Sequence, residues 1–385
     1  MSKVDELIRE LCPDGVDAIS LGEAESCGMV TMGRGKVISK QTLEESPGNY
    51  PVYSSSAAGT GEFGRYGEFM FEDERITWSI DGGGKFFYRP EHRYSVTNVS
   101  GWMTSDSTVL SLKFLYQSLI SQWEREEFDY TRKAHPSVIR EVYTIPLPPL
   151  EVQKEIVRIL DQFAELDREL EQEIAGRTAQ FDRLREDLLS DENYPPVPVG
   201  NLAARVSTGA TPKASEARYY QGGDIPWLRT GEVNFGEIWE TEKLITQTAL
   251  DETNVSWIAE NCVVVAISGA TAGRVAVNKI PMTTNQHCCN MQIDPEMANY
   301  RFVFHALASS YEEMKAQGRG ARGDLNISLI KGFPIPLPPL EVQEEIANKL
   351  DTFTEYVDNL KRERELRQKQ YEYYRDQLLD FPVKE

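Results

Sequence analysis

The sequence predicts an α+β fold in which two α/β domains alternate with two long helices that form an antiparallel coiled coil, arranged as a pseudo-twofold, cyclic repeat. Three observations carry that expectation. Ile145-Pro-Leu-Pro-Pro-Leu-Glu-Val-Gln153 recurs letter for letter as Ile335-Pro-Leu-Pro-Pro-Leu-Glu-Val-Gln343, an offset of 190 residues. Each copy opens a stretch of about forty residues with helical periodicity and no proline. The segments between the copies are Gly-rich and aromatic and lack that periodicity.

The helices follow from the repeat. Residues 145–190 and 335–380 are identical at 22 of 46 positions without a gap. Proline cannot occupy a helix interior, so each copy reads as an extended lead-in followed by one helix, roughly 60 Å long at 1.5 Å per residue. In the first, Ile156, Leu160, Phe163, Leu170, Ile174, Phe181, Leu184 and Leu188 keep a 4-3 spacing that Asp167 and Arg177 interrupt. In the second, Ile346, Leu350, Phe353, Val357, Leu360, Tyr371, Tyr374 and Leu378 use the same slots, interrupted by Arg364 and Arg367. Such a stripe is a coiled-coil seam. In an antiparallel pair Asp167 and Arg364 would meet near the middle and fix register; the alternative is that the long arginines snorkel off the seam edge.

The intervening segments resemble each other faintly. The strand-like Ile76-Thr-Trp-Ser-Ile-Asp-Gly-Gly-Gly84 precedes Thr97-Asn98, and Val263-Val-Val-Ala-Ile-Ser-Gly-Ala-Thr271 precedes Thr284-Asn285 at the same distance. Val4-Asp-Glu-Leu-Ile-Arg-Glu-Leu11 before Leu21-Gly22 likewise mirrors Phe181-Asp-Arg-Leu-Arg-Glu-Asp-Leu188 before Val199-Gly200. The chain therefore starts on the tail of a repeat whose front half lies at its other end.

Composition narrows the function classes. The chain has 385 residues, 40% hydrophobic, with 41 basic and 61 acidic side chains for a net charge of −20. The longest apolar run, Cys262-Val-Val-Val-Ala-Ile267, is far short of the ~20 residues that span a bilayer, and the start carries no apolar leader core, so a cytoplasmic protein without membrane contact is expected. Five cysteines form no Cys-x-x-Cys pair, and four histidines are scattered, so neither a disulfide framework nor a metal site is expected.

The acidity is uneven. Residues 141–196 carry 6 basic and 14 acidic side chains and 334–385 carry 8 and 12, whereas 20–140 carry 13 and 16 and 197–333 carry 12 and 14. The nearly neutral globular segments can bind nucleic acid if their basic groups cluster on one face. Basic or amide residues beside glycines and turns supply the candidates: Arg34, Lys36, Arg132 and Lys133 in the first segment, and Lys213, Arg229, Arg319, Arg322 and Asn326 in the second. Several of them could equally form surface salt bridges.

Leu11-Cys-Pro-Asp-Gly-Val16, Tyr50-Pro-Val-Tyr53, the twin Pro-Leu-Pro-Pro-Leu-Glu-Val-Gln segments, Thr208-Gly-Ala-Thr-Pro212, Ile225-Pro-Trp-Leu228 and Tyr373-Tyr-Arg-Asp-Gln-Leu-Leu-Asp-Phe381 together resemble the specificity subunits of Type I restriction-modification systems. The likeness spans essentially the whole chain. It implies an N-terminal helical segment with a first target-recognition domain over 1–144, a helical spacer over 145–194, a second recognition domain over 195–334 and a second spacer over 335–385. It also implies that each domain reads one half of a bipartite site in double-stranded DNA, and that the helices set the half-site spacing and dock two methyltransferase (modification) subunits. It further implies that restriction (translocase and nuclease) subunits join that assembly. The resemblance implies no catalytic residue and no cofactor in this chain; S-adenosylmethionine would belong to the methyltransferase.

The motifs agree with a non-catalytic role. Asn193-Tyr-Pro-Pro196 has the wrong order for the Asp/Asn-Pro-Pro-aromatic motif of amino-methyltransferases, and no Walker A string is present. Gly59-Thr-Gly-Glu-Phe-Gly64 matches Gly-x-Gly-x-x-Gly but runs into a strand-like pattern and opens no helix. The alternative is the recognition segment of a fused restriction-methylation enzyme; a coiled-coil adaptor without a DNA role ranks third because it leaves the paired domains without a task. A rigid reader of pseudo-twofold form predicts half-site centres one helical turn, roughly 34–36 Å, apart, and unlike domains predict an asymmetric site.

Overall fold

A computed structural model describes residues 3–56, 59–129, 131–190, 193–318, 324–382 and 384. The chain forms two compact units, residues 1–171 with 362–385, and residues 172–361. This division differs from the four consecutive segments expected from sequence. Each unit takes one globular domain, part of the long helix that follows it and part of the other long helix.

The first unit opens with α1 (Lys3–Leu11), β1 (Ala18–Ser20) and α2 (Leu21–Ser26), the last capped reciprocally by Ser20 and Glu23. After β2 (Val30–Arg34) and the short α3 (Lys40–Glu45) come β3 (Tyr50–Tyr53), β4 (Glu62–Tyr66), β5 (Arg75–Ser79), β6 (Phe86–Arg89), β7 (Ser95–Val96) and β8 (Ser100–Ser105). They make two sheets, β2-β8-β5-β6 and β4-β3-β7, the latter with a parallel β3/β7 pair. Ile76, Trp78, Phe86 and Met103 pack against Phe114, Leu115 and Leu119 of α4 (Leu112–Trp123). Glycine at 101 is a packing requirement, since a Cβ there would lie 2.1 Å from the Trp78 ring. The domain closes through α5 (Pro136–Val142) and β9 (Thr144–Pro146), which pairs antiparallel with β1.

The long helix α6 (Leu150–Leu189) follows. Its Ile156 and Leu160 are fully buried in the first unit's core. That core also receives Val4 and Phe381, and Val16 exchanges backbone hydrogen bonds with Pro382 and Lys384, so the two ends of the chain are stitched together.

The second unit repeats the plan. β10 (Pro196–Pro198) and β11 (Ala203–Thr208) precede β12 (Ile225–Leu228), β13 (Glu237–Ile238), β14 (Leu244–Ile245), α7 (Gln247–Glu252), β15 (Trp257–Ile258), β16 (Val263–Ala266), β17 (Val275–Asn278), β18 (Met282–Thr284) and β19 (Cys288–Ile293). The sheets are β11-β19-β16-β17-β13 and β14-β12-β18-β15, again with one parallel pair, β12/β18, in the second. Every residue of β16 is buried, and the faces alternate: Val263 and Val265 meet Phe302 and Leu307 of α8 (Tyr300–Ser309), while Val264 and Ala266 meet Leu228 and Met282 of the other sheet. The same alternation sends neighbouring Cys288 and Cys289 to opposite faces, where burial pushes both thiols up to about 12. After α9 (Tyr311–Ala316), α10 (Ile327–Gly332) and β20 (Pro334–Pro336), which pairs with β10, comes the second long helix, α11 (Leu340–Leu379).

One expected equivalence shifts. Thr97-Asn98 and Thr284-Asn285 are one residue out of structural register. Val96 accepts from the Lys36 N–H as Thr284 accepts from Ala210, and Thr97 donates to Tyr53 as Asn285 donates to Leu228, so Thr97 matches Asn285.

Both long helices span forty residues, and the pairing is antiparallel within each unit. In the first, Phe163 stacks with Tyr374 at 5.8 Å and Arg364 meets Asp167; in the second, Phe181 meets Phe353 and Tyr356 meets Glu173. Every seam slot of α6 from Ile156 to Leu188 is at least partly buried. In α11 the buried slot near the end is Arg375, while Tyr374 is 42% exposed. Arg375 is held there by Glu124, at 2.6 Å, and by Asp376.

Candidate nucleic-acid interface

The domains are fastened to the helices by repeated devices. In the first unit the Asp161 carboxylate takes an ion pair from Lys113 of α4 at 2.6 Å. In the second, Asp351, the repeat partner of Asp161, accepts from Arg301 and from His305 Nε2 of α8, the latter at 2.7 Å. Burial alone would raise the Asp351 carboxyl, but these donors outweigh it and hold it at about 2. Burial lowers His305, which keeps its ring neutral and donating to the carboxylate.

The expected DNA contacts fall into three groups. Arg34 and Lys36 flank Gly35 where β2 crosses the end of β7, and both are exposed. Among the described residues the Arg34 guanidinium donates only to the Asn98 carbonyl and Lys36 forms no ion pair. Gly35 is indispensable there, because a Cβ would sit 2.1 Å from the Val96 carbonyl oxygen.

A second group already has partners, acids for its four cations and a backbone N–H for Asn326. Arg132 meets Glu126 at 2.9 Å, Lys133 meets Asp81 at 3.0 Å, and Lys213 lies 3.7 Å from Glu216. Arg229 is flanked by Glu232 and Glu242. Asn326 caps α10 by accepting the Leu329 N–H at 2.9 Å. For these the surface-pairing alternative describes the contacts made in this structure. Arg319 and Arg322 form the third group and lie outside the described residues.

Sequence reasoning missed an aromatic patch in the second domain. Phe235 adopts a left-handed backbone (φ 66°), packs edge-on to Tyr311 at 5.1 Å, and is followed by Trp239, 60% exposed. An available signal was Phe235 and Trp239 in the short segment Asn234-Phe-Gly-Glu-Ile-Trp-Glu240.

The equivalent crossings carry different chemistry. Thr208-Gly209-Ala210 occupies in the second domain the place of Arg34-Gly35-Lys36 in the first, and a Cβ on Gly209 would lie 1.7 Å from the Thr284 carbonyl oxygen. The frame and its glycine are kept, while the side chains beside it change from cations to a hydroxyl and a methyl.

Two like domains, each clamped to a long helix by the same repeat, are the arrangement of a modular protein with two similar surfaces of unlike chemistry. The family model described as the Type I restriction modification DNA specificity domain matches twice, over residues 26–176 and 193–367, and the chain belongs to this family. It is similar to the Type I restriction enzyme EcoR124I/EcoR124II specificity subunit of Escherichia coli, 30% identical over 73% of each chain. Among solved structures, the Type I restriction-modification S subunit of M. genitalium aligns over 94% of each chain with a TM-score of 0.60 at 17% identity. A chain of a type I system studied for its complex assembly and conformational transition aligns over 96% of this chain and 97% of its own, also with a TM-score of 0.60, at 13% identity.

Proposed function

We propose that this chain is the non-catalytic DNA-specificity subunit of a Type I restriction-modification complex, in which each globular domain reads one half of an asymmetric, bipartite site in double-stranded DNA. The observation that carries the reading is the matched crossing, Arg34-Gly35-Lys36 against Thr208-Gly209-Ala210 in one frame. Identical readers would select a palindrome, and these differ where side chains are free to meet DNA. Arg34 and Lys36 are the first contacts expected to touch phosphates or base edges. Lys213, Arg229, Asn326, Arg132 and Lys133 follow as candidates whose acidic or backbone partners would have to be exchanged for DNA, and Arg319 and Arg322, outside the described residues, complete the set.

The recognition domains on this reading are residues 1–144 and 195–334, and the spacers are 145–194 and 335–385. The spacers set the distance between half-sites and, with their excess of acidic side chains, present docking faces to two methyltransferase subunits, to which restriction subunits are added. Methyl transfer and its S-adenosylmethionine then belong to the partner. The test is co-expression with the methyltransferase followed by sequencing of methylated adenines. A split asymmetric motif supports the reading, and a stable complex that methylates no motif contradicts it.

A further inference from the structure

The Gln that ends both nine-residue repeats makes more contacts than closing the proline turn requires. Gln153 and Gln343 are each 1% exposed, at the fourth residue of α6 and of α11. Each amide donates from Nε2 to its own lead-in, to the Pro148 carbonyl at 2.8 Å and to the Pro338 carbonyl at 2.8 Å. Each also accepts through Oε1 a backbone N–H from the domain: that of Ser111 at 2.8 Å and that of Asn299 at 2.9 Å. Ser111 and Asn299 are the N-cap residues immediately before α4 and α8, the helices that pack against the two domains' sheets. Gln153 further donates to the Val109 carbonyl at 3.0 Å. A glutamine needed only for the turn would bond the proline carbonyl alone.

Eight residues on, about 12 Å along the helix at 1.5 Å per residue, Asp161 and Asp351 grip the same domain helices through Lys113 and through Arg301 with His305. Two attachment points that far apart remove rotation of a domain about a single contact. We propose that Gln153 and Gln343 are positioning residues that fix the angle at which each recognition domain leaves its helix, and thereby the half-site spacing the protein accepts. This proposal rests on the DNA-specificity reading above.

The test uses the full chain in complex with its methyltransferase, acting on DNA in which the two half-sites are separated by the native spacer or by spacers one and two base pairs longer or shorter. Gln153→Met and Gln343→Met keep side-chain length and remove both hydrogen-bonding functions. Each is expected to lower discrimination between the native and neighbouring spacers about tenfold, as one buried network is lost, with the half-site sequences unchanged. A variant complex that retains wild-type spacer discrimination overturns the proposal and leaves the glutamine as a turn-closing residue. Should a Met variant fail to assemble, Gln153→Asn and Gln343→Asn, which keep the amide one methylene short, replace it in the same comparison: reduced discrimination supports the proposal and wild-type discrimination overturns it. Failure of the wild-type complex to methylate any split site removes the specificity reading and this proposal with it, and that result is distinct from unchanged spacer discrimination in a variant.

Discussion

Arg364 donates through Nε and Nη2 to the two carboxylate oxygens of Asp167, at 2.9 and 3.0 Å, in a seam whose flanking positions are otherwise largely apolar. The hydrogen bonds from Arg364 hold the Asp167 carboxyl below its usual range despite partial burial. A forked pair across two helices has one good geometry, so it specifies alignment as well as adding energy. Both side chains remain about a quarter to a third exposed, which limits that energy. Alanine substitutions at the two positions, alone and together, are expected to give a coupling free energy of about 0.5–1 kcal/mol in urea denaturation. Additive effects would show that the arginine merely lies along the seam.

The Asp351 cluster makes stability depend on acidity. A carboxyl held at about 2 in the fold and titrating near 4 when unfolded contributes stability that is present above about pH 4 and lost as pH falls towards 2. His305, lowered by burial, adds a loss in the same direction that begins as pH drops below its unfolded value near 6.5. In Asp351→Asn the decline of the urea midpoint between pH 4 and 2 is expected to be shallower than in the wild type. An unchanged slope would place the acid sensitivity elsewhere.

The close crossing at Gly209 predicts a steric penalty. Gly209→Ala drives a methyl into the Thr284 carbonyl and is expected to destabilise the second unit by about 1–3 kcal/mol or more. Gly231→Ala, with no atom within 4 Å of the new methyl, serves as the control and is expected to lie within about 0.5 kcal/mol of wild type. Thermal denaturation of the two variants decides between them.

Lys36, with no ion pair among the described residues, and Arg132, paired with Glu126, separate two kinds of cation. Lys36→Ala is expected to weaken binding of cognate DNA and to make the plot of log affinity against log salt shallower by about 0.9, one phosphate contact. Arg132→Ala, whose guanidinium is held by Glu126 at 2.9 Å and would reach DNA only by exchanging that partner, is expected to change the slope by less than Lys36→Ala does. The reverse pattern would move the DNA face of the first domain away from the Arg34 to Lys36 crossing.

Much of this architecture was legible because periodicity is local. Proline marks the lead-in, and the 4-3 stripe then places Ile156, Leu160, Ile346 and Leu350 in the core. The strand run Val263 to Ala266 was visible for the same reason. What failed depended on partners distant in sequence. Arg375 reads as a solvent-facing charge until Glu124, 251 residues away, is placed beside it. The Thr-Asn dipeptides suggested an equivalence one residue off, because letters were compared where hydrogen bonds define the register. Lys133 and Arg229 read from sequence equally as DNA contacts or as surface ion pairs, and their acids, Asp81 and Glu242, are brought beside them only by the fold. The buried role of Gln153 was hidden in the plainest motif of the chain, as its domain partner Ser111 precedes it by 42 residues.

The central claim is that two unlike domains on one frame read two unlike half-sites. Exchange of residues 195–334 for another recognition domain, in the chain co-expressed with its methyltransferase, followed by sequencing of methylated adenines, tests it directly. The account predicts a split motif in which one half changes and the other half and the spacing persist. A motif that changes throughout, or one that does not change at all, would contradict it.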